Sequence, residues 1–204
     1  MQRSIPTLSA GALSFACGGA VLLLAAPAQA HTGIGTTSGL AAGLLHPLFG
    51  LDHLLAMVAI GLLAVQRGGR ALWAVPACFV GAMIGASAIG IAGLALPLVE
   101  FGIAVSAIVL GTAIALRQTV PNGLAMALAA GFALFHGHAH GAEIPPAASA
   151  LIYGAGFVAA TVALHGAGIG IGLAARCAAP RLAGTGMRLG GGAIALAGLA
   201  VATL

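Results

Sequence analysis

The chain has 204 residues, 61% hydrophobic and only 5% charged, with a mean hydropathy of +1.15. That excludes an ordinary soluble domain, whose surface needs far more charge. The pI near 9.8 does not mark a nucleic-acid binder, because lysine is absent and the arginines stand in ones and twos, not in a phosphate-binding stripe. The 33 glycines follow no three-residue period, which excludes collagen. Set among long Ala/Leu/Ile runs, they suit close-packed membrane helices.

In chain order, residues 1–30 read as a secretory signal. Arg3 gives a weakly positive start, Gly11 to Ala26 is apolar, and Ala28-Gln29-Ala30 is a small-x-small cleavage site. An uncleaved first helix is the alternative. A lipoprotein reading of Cys17 fails because Ser14 stands where a leucine is expected. Cleavage would leave His31 first, where its amine and imidazole chelate a metal weakly or simply fray. Cys78 lies in an apolar run and Cys177 beside basic residues, with no CxxC or zinc spacing.

Residues 31–204 carry six apolar segments, at about 43–65, 71–94, 97–116, 121–140, 148–175 and 188–204. The fold class expected is all-α: a polytopic membrane bundle of six transmembrane helices after a signal peptide. A cleaved signal puts the mature N-terminus in the periplasm. Six spans then place Arg67, Arg70, Arg117, Arg176, Arg181 and Arg188 on the cytoplasmic side of a bacterial inner membrane. The outer connections hold no Lys or Arg, so the charge asymmetry agrees with the signal.

Two short runs concentrate the chemistry: His46-Pro47-Leu48-Phe49-Gly50-Leu51-Asp52-His53, and Phe135-His136-Gly137-His138-Ala139-His140-Gly141-Ala142-Glu143. An ionisable group within a span costs about 2.5–3.5 kcal/mol on insertion scales, and is a functional candidate for that reason. Imidazole with carboxylate suits a borderline divalent metal. His136, His140 and Glu143 fall at i, i+4 and i+7 on one helical face, and His138 points away. His46 and His53 also share a face, but Asp52 lies about 100° round from His53. A kink at Pro47 or Gly50 would bring Asp52 toward His46 and free backbone carbonyls as further ligands. Glu100 follows Pro97 in a helix's first turn, where a carboxylate suits the dipole, so structural and metal-binding roles are balanced. At ~1.5 Å per residue, Asp52, Glu100 and His136 share a level roughly 22–25 Å from the arginine edge. His165 lies near the midplane and is read as bonding a backbone carbonyl. Gly81-x-x-x-Gly85, Gly137-x-x-x-Gly141 and Gly168-x-x-x-Gly172 are read as helix-contact faces.

The motifs H-P-L-F-G-L-D-H-L-L-A-M and F-H-G-H-A-H-G-A-E together resemble the signatures of the HupE/UreJ family of nickel/cobalt permeases. The resemblance spans the whole chain. It implies metal-binding roles for His46, Asp52, His53, His136, His140 and Glu143, to which shared depth adds Glu100. It implies a six-helix metal-permease domain over 31–204, and a transported Ni2+ or Co2+ with no prosthetic group. Nickel supply to hydrogenase or urease is the family's association, and the residues themselves do not choose between the metals. The motif helices open two three-span halves of opposite direction, which permits a 3+3 inverted repeat.

The expectation is therefore a secondary permease and not an enzyme, with a divalent ion and the bilayer as partners and homo-oligomerisation left open. No P-loop is present to use ATP. A non-transporting metal sensor or accessory subunit would carry the same ligands. An intramembrane metallohydrolase would need an H-E-x-x-H or equivalent base, which is absent.

Overall fold

The computed structural model describes residues 39–117 and 121–203. The expected signal and His31 lie outside them. The described residues are all-helical: α1 (Gly39–Phe49), α2 (Leu51–Arg67), α3 (Ala71–Ile91), α4 (Val99–Ala115), α5 (Asn122–Ala142), α6 (Ala150–Ala178) and α7 (Pro180–Ala202). By length and composition α3, α6 and α7 could each cross a membrane. The α1–α2 pair passes only if counted together across an 80° bend. At 17 residues α4 is short, about 25 Å at the helical rise. The histidines of α5 lower its hydropathy. One boundary moves: the last helix starts at Pro180, not near 188, with only Ala179 between α6 and α7. Proline suits that first turn because its missing N–H would have no intrahelical partner there.

The bend falls at Gly50, whose backbone is extended (φ −78°, ψ 105°). Pro47 is inside α1, and Asp52 opens α2. The expected break is present, but it frees fewer carbonyls than anticipated. His46 O still accepts from Gly50 N at 3.2 Å, and Gly50 O from Leu54 N at 2.9 Å. At the other end of α2, Gly68 and Gly69 take positive φ of 70° and 54°, turning the chain directly into α3.

Packing relies on backbone approach. The most extensive pairing is α3 with α5, where Gly137 and Gly141 lie against the carbonyls of Met83 and Ser87, and Gly90 against that of His138. The α1–α2 segment packs along α6. Gly43 and Gly156 face carbonyls of Tyr153 and Leu40, and further along Gly61 and Gly168 face those of His165 and Val58. Gly111 on α4 and Gly191 on α7 approach each other reciprocally. Gly81 and Gly85, read as a contact face, are exposed with nothing within reach. The opposite side of α3, carrying Met83 and Gly90, is the one that packs on α5.

The outside is apolar. Leu151, Leu98, Leu196, Phe49 and Trp73 are all exposed. The inside instead buries His53, His136, His138, His140 and His165. A surface this apolar around a core that also holds five histidines suits lipid.

The arginines gather at one end. Arg67 donates to Asn122 Oδ1 (3.1 Å) at the start of α5, and Arg188 to Ala115 O (3.1 Å) at the end of α4. Arg117 and Arg176 line a cavity of about 180 Å³ with Gln66.

A glycine that meets a backbone oxygen has no flexible neighbour to yield. Gly137→Ala should therefore destabilise the protein by about 1–3 kcal/mol. Gly131→Ala on the same helix, where space is open, should be neutral or stabilising. Thermal denaturation in detergent compares the two.

Candidate metal centre

The bend in the first segment and the C-terminal end of α5 meet. Ligand atoms of His46, His53 and His140 all lie within 4.8 Å of one another. The His140 ring centroid is 4.6 Å from those of both His46 and His53. Metal–imidazole bonds of about 2.0–2.1 Å put ligands on opposite sides of one ion up to ~4.2 Å apart, so the rings need only a small closure to share it.

Around these rings the predicted residues take different places. Glu143 Oε2 is 3.3 Å from His46 Nε2, at the rim of the bundle and partly exposed. His136 lies one step deeper and fully buried, its ring 4.8 Å from that of His53. Asp52 Oδ1 takes the His53 backbone N–H (2.8 Å) and the His53 Nδ1 (2.9 Å). Glu100 is exposed in the first turn of α4, outside the three-histidine group. His138 turns away as expected, and its Nε2–H donates to Leu94 O at 2.7 Å, tying α5 to the loop after α3.

Hydrogen bonds select which nitrogen each ring offers. With His53 Nδ1–H donating to Asp52, its Nε2 carries the lone pair, and that atom is buried and without a partner among the described residues. A carboxylate that orients an imidazole and raises its basicity is a common support for a metal ligand. His136 repeats the logic with a hydroxyl. Ser106 donates its one proton to Ile103 O, so His136 Nε2–H must donate to Ser106 Oγ (3.0 Å). His136 Nδ1 is left buried and without a partner among the described residues. Both His140 nitrogens are likewise buried and unpartnered, with the ring set against Phe157. Dry imidazole lone pairs converging from separate segments form a receptor for a cation that takes nitrogen ligands.

Sequence reading missed Ser106, Tyr153 and Phe157. Tyr153 is buried beside His46, with ring centroids 6.3 Å apart. Isolated Ser, Tyr and Phe in apolar runs carry no spacing signal, and only the tertiary fold makes them neighbours of the cluster.

Ser106→Ala and Asp52→Asn should each weaken nickel binding by about 10–100-fold while leaving the ligand rings in place. Equilibrium dialysis with the purified protein measures this.

The profile of the HupE / UreJ protein family matches residues 19–201. Protein HupE of Rhizobium leguminosarum bv. viciae is 46% identical over 182 residues, covering 87% of this chain and 92% of that protein. No solved structure matches. On this agreement, the chain belongs to the HupE/UreJ family.

Proposed function

We propose that the protein is a secondary permease that moves a divalent transition metal, nickel or cobalt, from periplasm to cytoplasm across the bacterial inner membrane, in support of hydrogenase or urease. The single observation that carries this is the convergence of His46, His53 and His140, with Glu143 at the rim, at the end of the bundle away from the arginines. By the positive-inside rule the arginine end is cytoplasmic, so the cluster opens outward.

In this reading α1 and α2 form one broken span, and α3 to α7 supply five more. The pairing of helices supports two exchanged halves. The second span packs on the fourth as the first packs on the fifth, and the third and sixth pack on each other. Those three pairings are ones a two-fold axis in the membrane plane would produce, although the packing of the first span on the third has no counterpart among the described residues between the fourth and sixth, and they suit alternating access.

A hydrated ion is first met by Glu143 and His46. It exchanges waters for His53 and His140, whose lone pairs are already aimed, and then meets His136. Asp52 contributes charge and orientation through His53. Glu100, at the same end of the bundle, is available to attract cations to the mouth.

Radioactive nickel uptake into proteoliposomes tests this. Saturable uptake is expected, and His46→Ala, His140→Ala and His136→Ala should each reduce it by about tenfold or more. Normal uptake in all three would remove the site, and metal binding without uptake would leave only a sensor.

A pH dependence follows from the ligands. A protonated imidazole has no lone pair to give, and histidine's ordinary value is about 6.5. Nickel and protons compete for the same lone pairs, so metal affinity should fall as pH is lowered. Nickel binding measured from pH 5 to 8 reads this directly.

A further inference from the structure

His165 stands apart from the outer cluster and remains unexplained by it. It is 2% exposed on α6, and both ring nitrogens are buried with no hydrogen-bond partner among the described residues. The carbonyl bond expected from sequence is not made. A neutral imidazole holds one N–H and one lone pair, so leaving both unmatched is costly compared with an apolar residue of similar size.

Its position supplies a reason. The Phe79 ring contacts His136 on one side (centroids 5.5 Å) and His165 on another (5.1 Å). His165 is about 16 Å along α6 from Arg176, whereas His136 is about 21 Å along α5 from Asn122 at the same end. The sequence of buried imidazoles thus runs inward from His140 and His53 to His136 and then, past Phe79, to His165. The backbone is fixed there, because Gly61 of α2 admits the His165 carbonyl and Gly168 that of Val58. One turn outward, Thr161 Oγ1 donates to Met83 Sδ at 3.8 Å, the next polar contact between α6 and α3.

We propose that His165 is a relay ligand, a single-imidazole stop for the transported cation between the outer histidine cluster and the arginine end. This rests on the permease reading. The chain's three acids, Asp52, Glu100 and Glu143, all lie at the opposite end. An ion at His165 therefore has no carboxylate to neutralise it. Such a stop binds weakly, as passage requires, since a tight inner site would trap the ion.

The test uses the full-length protein with nickel as the probe. Uptake is measured in proteoliposomes, and binding separately by equilibrium dialysis. His165→Leu should bind nickel as the unmodified protein does, but its maximal uptake rate should fall about tenfold or more with little change in KM. His165→Cys, which keeps a ligand atom, should recover a substantial part of the rate. A purely structural histidine predicts the reverse order, with leucine tolerated and cysteine worse, and that order overturns the proposal. Should His165→Leu fail to fold, His165→Cys decides alone, in a background where Cys17, Cys78 and Cys177 are alanine. Nickel should slow alkylation of the introduced thiol by N-ethylmaleimide several-fold, and absence of protection overturns the proposal. Nickel binding without uptake in the unmodified protein would instead overturn the permease reading, and the relay with it. Equal uptake in the unmodified protein and His165→Leu overturns the relay alone.

Discussion

The whole arrangement depends on bringing imidazole nitrogens into a dry interior without closing hydrogen bonds on them. A buried polar group left unmatched costs about 1–3 kcal/mol, so a bundle holding several must be held shut by something else. Here that is backbone contact through glycine. In His136-Gly137-His138-Ala139-His140-Gly141 the two residue types occupy different faces of α5. Gly137 and Gly141 press on the Met83 and Ser87 carbonyls, and this turns His136 and His140 toward α1 and α2. The motif's glycines are thus as necessary to the cluster as its histidines. They set the distance at which α5 lies from α3, and with it the direction in which the rings can point.

The first motif solves a different problem. A straight helix cannot aim His46 and His53 at one point and also place a carboxylate behind the second ring. Breaking the helix at Gly50 does both. α2 restarts with Asp52 in its first turn, where its Oδ1 accepts the backbone N–H and the ring N–H of His53. Gly50 is itself tight against this pair, since a Cβ there would lie 3.2 Å from both Asp52 Oδ1 and His53 Nδ1. Local backbone geometry and the ionic support of one ring are therefore a single unit.

Much of this was legible from residue order. Helical spacing gave the shared face of His136 and His140 and the different direction taken by His138. The Pro47/Gly50 pair gave the break. The arginine pattern gave one charged end, and the structure gathers Arg67, Arg117, Arg176 and Arg188 around one set of helix ends. What could not be read was pairwise tertiary detail. Whether Gly81 or Gly137 faces a neighbour depends on which side of α3 meets α5, and spacing alone is identical in both. Ser106 is one hydroxyl in an apolar run until α4 brings it to His136. The part played by Asp52, behind His53 and outside the three-histidine group, follows from a side-chain rotamer and not from its place in the motif. Similarly, His165 reads as an ordinary buried histidine until its missing partners are counted.

The arginine end has an electrical consequence. With the three acids at one pole and the described guanidinium groups at the other, the molecule carries a standing field along the path proposed for the ion. That field opposes a dication approaching the exit. A membrane potential negative on the cytoplasmic side acts the other way, by about 2.3 kcal/mol per charge per 100 mV and twice that for a dication. In the orientation proposed above, inward passage would be helped by the energised membrane. A cation approaching from the arginine end meets repulsion before it finds any ligand, so that mouth is guarded by the charge layout itself.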